Sequence, residues 1–328
     1  MESRERPVPI HRIEYDVNWP PGHVTSYLID CAEPVLIDAG MPGEDSERRL
    51  QETLSGHGYS LAEIEHLVIT HPHIDHIGQT EAIIEAADPT VYAPASVQNR
   101  FDRTLDDLEA TVATNVKRAG FSDAESEFLV TKAVESLRRN RELLAPSAVD
   151  VWLEGDSTVE IGTTPIDVIH TPGHQADHCC YAVELDGERL LIAGDMAIES
   201  FRPVVLHAGM DRGVEDGIEA FFTALDRLAE QSIDRVYPGH GPVHTEFSET
   251  IERHRERLKQ TLVATVKTVE TAQSPISGAD VAAERAGSRD TTYIAAEVLA
   301  TLEYLHSEGE LDAIDEAGVR RYHLPEEQ

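Results

Sequence analysis

The sequence predicts a mixed α/β fold. Three observations predict it. Short apolar runs of strand length alternate with amphipathic helical segments through roughly the first three quarters of the chain. Several of those runs end in a Gly or Pro turn that is followed at once by His or Asp. Residues 96–147 abandon the strand rhythm and read as helices alone.

The elements follow in order. Arg12 to Val17, His23 to Asp30 and Pro34 to Asp38 read as strands. Glu44 to Gly58 reads as a helix, with Leu50 and Leu54 four residues apart and glycines closing it. Leu67-Val68-Ile69-Thr70 is a short buried strand, followed by a helix over Gln79 to Ala87 and a strand over Thr90 to Ala93. In the helical insertion, 96–147, Leu105, Leu108, Val112 and Val116 recur at helical spacing. Ser122 with Glu125 three residues on forms a helix start, and Pro146 stops the run. The insertion falls between two histidine-bearing loops, where a lid over a cleft is expected. Strands resume at Val149 to Leu153, Ser157 to Ile161, Ile166 to Ile169, His178 to Glu184 and Leu190 to Ala193. Helices are predicted over Gly217 to Glu230 and Glu246 to Glu270. The tail reads as helices over Gly278 to Ala286 and Thr291 to Glu308, then two short strands around Gly318 and Tyr322. The expected division is 1–245 and 246–328.

The most informative stretch is His71-Pro72-His73-Ile74-Asp75-His76, at the end of a strand. Three imidazoles this close tolerate protonation poorly, and a cation that binds them neutral removes the difficulty. Alternation places His71 and His73 on one side, and the following turn aims Asp75 and His76 elsewhere, which suits two neighbouring metals. His174 in Thr171-Pro172-Gly173-His174, Asp195 after Leu190 to Gly194, and His240 in Pro238-Gly239-His240-Gly241 each follow a β-type run and a turn. Loops at one end of a sheet would gather them. Any one of these histidines alone reads as a surface residue; the ordered set does not.

This set, His-x-His-x-Asp-His and then His174, Asp195 and His240, resembles the metallo-β-lactamase superfamily of hydrolases. Asp38, in Val35-Leu36-Ile37-Asp38-Ala39-Gly40, resembles its first motif, a carboxylate that orients ligands. The resemblance implies a four-layer αββα sandwich. It implies that His71, His73 and His174 hold one divalent ion, Asp75, His76 and His240 a second, and Asp195 bridges them. Zinc is the expected metal, with iron or manganese as alternatives. A hydroxide shared by the two ions would be the nucleophile, and Asp75 the proton donor to the leaving group. Thr171-Pro172-Gly173-His174 followed by His178, with the small tail, resembles the β-lactamase-like protein 2 group and its winged-helix-like C-terminal domain. His178 is expected to orient ligands, as is His170, while His11, His57, His66, His254, His306 and His323 read as surface residues.

The chain has 328 residues and a net charge of −34, with lysine only at 117, 132, 259 and 267. Acidic residues spread evenly, which resembles a surface adapted to high salt, where the screening length falls to ~3 Å. No run reaches membrane-span length, and Met1 to Arg6 precede no apolar stretch, so a cytoplasmic protein without membrane contact is expected. Cys31, Cys179 and Cys180 form no disulfide framework; the adjacent pair would face opposite sides of a strand.

Three functions fit. The first is a hydrolase of a small ester, thioester or lactone, with a small-molecule substrate in an apolar cleft. The second is a metal-dependent endoribonuclease on single-stranded RNA, which the charge of −34 opposes and for which Arg138, Arg139, Arg141 and Arg202 are the candidate contacts. The third is a non-catalytic winged-helix regulator, disfavoured because Thr291 to Glu308 carries glutamates and no Lys or Arg. A homodimer built through the tail is a further expectation.

Overall fold

The computed structural model describes residues 9–287 and 290–326. The reading of Met1 to Arg6 falls outside them. The first sheet gathers β1 (Ile10–Asp16), β2 (His23–Ile29), β3 (Val35–Ile37), β4 (His66–Val68), β5 (Thr90–Pro94) and β6 (Val151–Leu153) in that order. The first two pairings are antiparallel and the rest parallel. Helices α1 (Glu44–Gly56) and α2 (Thr80–Ala87) make the parallel crossovers. Helices α3 (Ala95–Phe101), α4 (Leu105–Arg118) and α5 (Asp123–Leu143) form the insertion between β5 and β6. The second sheet contains β7 (Ser157–Ile161), β8 (Thr164–His170), β9 (Cys179–Leu185), β10 (Glu188–Gly194) and β11 (Arg235–Pro238), the last reached through α6 (Gly217–Ala229).

Strand alternation produces the layers. In β3 and β4, Val35, Ile37 and Val68 face the second sheet, and Leu36 and Leu67 face the helices. In β9, Cys179, Tyr181 and Val183 join the core between the sheets. Cys180 and Ala182 pack instead with Phe221, Leu225, Phe247 and Ile251, from α6 and α7 (Phe247–Thr271). The adjacent cysteines therefore do face opposite layers, and all three cysteines are free. The result is two sheets face to face with helices outside both.

Ser122 caps α5 as its sequence predicts: its N–H donates to Glu125 Oε2 at 3.0 Å, and its hydroxyl accepts from the Glu125 N–H. The tail comprises β12 (Ile276–Ser277), α8 (Gly278–Ala286), α9 (Ala295–Ser307), β13 (Asp312–Glu316) and β14 (Val319–His323), with strand order β12-β14-β13. Two expectations need correction. The helix predicted over Thr291 to Glu308 is a short 3-10 turn at Thr291–Tyr293 and then α9, separated at Ile294. Gly318 is the hairpin turn between β13 and β14, at φ +83°, rather than part of a strand. Helix α9 is buried along its length, including Val298, Leu299, Ala300, Thr301, Leu302 and Leu305.

One buried cluster runs from Ile13, Leu36 and Leu67 through Val112, Val116, Leu129 and Leu137 of α4 and α5 to Val281, Val298, Leu302 and Tyr322 of the tail. Each such side chain contributes about 1.5–3 kcal/mol on burial. Insertion and tail are thus welded to the first sheet and to each other. No helix among the described residues is long and apolar enough to cross a membrane.

The two sheets are stitched at one rim. The Cys179 N–H donates to the Thr70 carbonyl at 3.0 Å, the Tyr181 hydroxyl to the Ile69 carbonyl at 2.6 Å, and the Thr25 N–H to the Gly239 carbonyl at 2.8 Å. The loops that leave β3, β4, β8, β10 and β11 meet there.

Candidate metal centre

The rim loops bring His71, His73, His174 and Asp195 into one group and Asp75, His76 and His240 into another. Within each, the possible ligand atoms lie within 4.8 Å of one another. Asp195 joins the two: its Oδ2 is 3.2 Å from His174 Nε2, and its Oδ1 is 3.2 Å from His76 Nε2 and 3.5 Å from His240 Nε2. His240 Nε2 also lies 3.3 Å from Asp75 Oδ2.

Hydrogen bonds on the far side of each ring decide which nitrogen is free. Asp38 accepts from the Thr70 N–H, from the Thr70 hydroxyl and from His76 Nδ1, each at 2.8 Å. Nε2 is therefore the His76 nitrogen that faces Asp195 and is available to a cation. The Thr70 hydroxyl, having donated to Asp38, accepts from His71 Nδ1 at 3.0 Å, which frees His71 Nε2. His174 Nδ1 donates to the Val204 carbonyl at 3.1 Å, and His240 Nδ1 to the His23 carbonyl at 2.8 Å. His73 Nδ1 then sits 2.9 Å from His71 Nε2 and 3.0 Å from His174 Nε2. Three lone pairs meet, and one proton on His73 could serve only one neighbour. His76 Nε2 and Asp195 Oδ1 are buried with no hydrogen-bond partner at all. Imidazole nitrogens and carboxylate oxygens that converge so closely are a donor set for a divalent cation, so the residues fit the metal that the pattern implies.

The pKa directions differ between the two groups. Burial and the neighbouring His76, His73 and His178 push His71 well below the usual imidazole range, and burial with His174 pushes His73 down to about 3. Burial lowers His174 and His178 as well. At His76 burial also disfavours the proton, but the carboxylates of Asp195, Asp38 and Asp75 together outweigh it and raise the pKa well above normal. His240 is raised against burial by Asp195 and Asp75. Burial works against ionisation at Asp75, yet His76 and His240 hold it down at about 2, and Asp195 is held well below the carboxylate range by His240, His76 and His174.

His178 accepts the Asp195 N–H on Nε2 at 3.0 Å, and its Nδ1 donates to the Thr171 hydroxyl at 2.8 Å. It therefore fixes the backbone at Asp195. His170 instead donates to Ala176 of its own loop, at 2.9 Å. Two glycines allow the close approach. A Cβ on Gly194, at φ +49°, would lie 2.5 Å from His178 Nε2, and one on Gly239 would lie 2.7 Å from His76 Cε1 and 2.8 Å from Asp195 Oδ1.

Two histidines expected at the surface are buried. His66 pairs with Glu33 at 3.1 Å, and His254 donates to the Ile198 carbonyl at 2.9 Å. The orienting roles of Thr70, Thr171 and the carbonyls of Val204 and His23 escape a reading of the sequence. A threonine directly after a strand and before a ligand is a usable signal; a backbone carbonyl has none. Beside His73 lies a cavity of ≈ 320 Å³, walled by α5, the loop around Met210, and Tyr293 and Ala296. The insertion is thus one wall of the space next to the centre.

The family model described as the metallo-beta-lactamase superfamily matches residues 19–240. The probable metallo-hydrolase YqjP of Bacillus subtilis (strain 168) is 25% identical over 252 residues, which cover 73% of each chain. A beta-lactamase-like protein 2 homolog of Caenorhabditis elegans is 24% identical over 247 residues, 74% of this chain but only 65% of that one. A crystal structure of a metallo-beta-lactamase family protein from Thermus thermophilus aligns with a TM-score of 0.72 at 23% identity, over 96% of this chain and 98% of that one. A beta-lactamase domain protein from Burkholderia ambifaria aligns with a TM-score of 0.73 at 20% identity, over 96% and 92%. These likenesses cover insertion and tail as well as the sandwich, and with the matched family model they place this chain in the metallo-β-lactamase superfamily.

Proposed function

We propose that the protein is a dinuclear metal-dependent hydrolase of small esters or thioesters. One observation carries the reading: Asp195 turns one oxygen to each of two groups of imidazoles, and His76 Nε2 and Asp195 Oδ1 are buried there without a hydrogen-bond partner. When bound there, a pair of divalent ions, with zinc favoured by the nitrogen-rich ligands, would supply an electrophile and activate water as the nucleophile. His71, His73 and His174 would hold one ion and Asp75, His76 and His240 the other. Asp38, through Thr70 and His76, orients ligand nitrogens on both sides. Asp75 is a carboxylate at neutral pH, with its pKa at about 2, so it must first accept a proton before it can return one to the leaving group.

The cavity beside His73 favours an ester or thioester over RNA, because Leu108, Leu129, Leu137 and Met210 line it. Among the relatives, the atrochrysone carboxyl ACP thioesterase of Passalora fulva is 21% identical over 220 residues, 66% of this chain and 48% of that one. Of the arginines considered for RNA, Arg141 is turned inward to the carbonyls of Phe101 and Arg103, and Arg202 pairs with Glu297. We read 1–245 as the catalytic unit and 246–328 as a winged-helix-like unit that walls the cavity. The burial of α9 speaks against its use in a DNA groove.

The experiment pairs metal analysis with a screen of esters, thioesters and single-stranded RNA on the purified protein. Wild type should carry two ions per chain and turn over an ester or thioester. His73→Ala and Asp195→Ala should lose metal and turnover together while far-UV circular dichroism is unchanged. A fully loaded, active Asp195→Ala refutes the bridging role, and cleaved RNA with intact esters refutes the substrate class.

A further inference from the structure

The cavity beside His73 carries a charge pattern at odds with the rest of the molecule. The chain has a net charge of −34, yet this wall presents Arg100, Arg103 and Lys132 against the carboxylate of Asp211. Two of these cations are committed. Arg103 binds Asp107 and, at 2.7 Å, Asp211, and Arg100 lies 3.9 Å from the buried Asp177. Lys132, one of four lysines, forms no ion pair among the described residues. Its Nζ stands 5.0 Å from the ring of Tyr293 and 5.9 Å from that of Phe128, and both rings are exposed, at 71% and 49%. Asp290 is near enough to feel the ammonium but makes no ion pair with it; its Oδ1 accepts from the N–H and hydroxyl of Thr292 at 2.9 and 2.7 Å. The cavity that Lys132 and His73 both line is otherwise largely apolar, with Leu108, Leu129, Leu137, Leu206 and Met210. An apolar passage with a metal-ligand histidine in its wall and an uncommitted cation at its rim is complementary to a chain that bears a negative charge.

We propose that the cavity binds an amphiphilic anion, and that Lys132 pairs with the charged end of an ester or thioester whose acyl chain terminates in a carboxylate. The ester part of this statement rests on the hydrolase reading above; the anion site does not.

Two measurements on the metal-loaded full chain, at one fixed salt concentration, separate them. Calorimetry compares octane-1-sulfonate with octan-1-ol. Kinetics compares N-acetylcysteamine thioesters of octanoic acid and of suberic acid, the second leaving a free carboxylate. Sulfonate should bind about tenfold more tightly than the alcohol, and the suberyl thioester should show a KM about tenfold lower than the octanoyl one. Lys132→Ala should erase both differences with kcat unchanged, and Lys132→Arg should keep them. Lys132 is exposed, so neither substitution threatens the fold. Arg100→Ala is the wrong test, because it would strand buried Asp177. Equal binding of the two probes, or a preference that survives in Lys132→Ala, overturns the proposal. If the sulfonate binds through Lys132 and neither thioester is cleaved, the anion site stands and the hydrolase reading falls. If both thioesters are cleaved alike and the sulfonate binds no better than the alcohol, the hydrolase reading stands and the anion site falls.

Discussion

Asp38→Asn changes one atom and should disturb the whole centre. Asp38 accepts three hydrogen bonds at 2.8 Å and donates none. Asparagine keeps the volume and tolerates the φ of +60° found here, where alanine would be strained. Its oxygen can still accept the Thr70 N–H, but its NH₂ then faces the Thr70 hydroxyl and His76 Nδ1, both donors in the wild type. The relaxed arrangement turns both around. His76 Nδ1 accepts and Nε2 gains the hydrogen, while the Thr70 hydroxyl donates to His71 Nδ1 and moves that ring's hydrogen to Nε2 as well. Both rings then present N–H where a lone pair is needed, one in each group. Loss of an orienting partner typically costs 10–100-fold in metal affinity, or about 1.4–2.7 kcal/mol. Exchanging charge-assisted for neutral hydrogen bonds should lower the stability of the metal-free protein by about 1–3 kcal/mol. Competition with a chelator of known zinc affinity measures the first quantity, and urea unfolding in EDTA the second. Wild-type affinity for both ions in Asp38→Asn refutes the tautomer reasoning, whatever happens to activity.

Gly239→Ala should weaken metal binding at least tenfold with little change in helix content, since its methyl would crowd His76 and Asp195; metal titration checks it. In the metal-free protein, His71, His73, His174 and His178 have depressed pKa values. The unfolded chain takes up protons near pH 6.5 that the folded chain refuses, so stability should fall as pH drops below that, for His73 down to about 3. Each such group contributes up to about 1.4 kcal/mol per pH unit. His76 and His240 are raised, so their contribution is complete below about 6.5 and is lost as pH climbs through their folded values. Urea midpoints in EDTA should therefore peak near neutrality, and a flat profile from about pH 5 to 8 would contradict the assignments. We also propose that the surface is adapted to salt: the melting temperature should rise steadily from dilute to molar KCl, and an unchanged value removes that idea.

The candidate ligand positions were legible in the sequence because each follows a strand, and the strands of both sheets deliver these ends to one rim. Cys179 and Cys180 were readable for the same reason, since alternation alone assigns them to different layers. Other features depend on contacts that local pattern cannot carry. His66 and His254 look like surface residues until Glu33 and the Ile198 carbonyl are brought to them from distant segments. Gly318 marks a turn, but the strands on either side, Asp312–Glu316 and Val319–His323, are polar and show little alternation. The cavity was illegible as a unit because its lining comes from the His73 loop, α3, α4, α5, the loop around Met210 and the residues at and just before the start of α9, which no spacing rule connects.

The seamless core joining insertion, tail and first sheet has an evolutionary consequence. A module held by a linker can be exchanged or lost without harm to the chemistry beside it. Here Leu129, Val298 and Leu302 share one interior, and Ala296 of the tail also lines the recess beside His73. Substitutions that retune what enters the recess must therefore keep three segments in register at once, so specificity in this lineage should drift by coordinated change across all three rather than by swapping its C-terminal end.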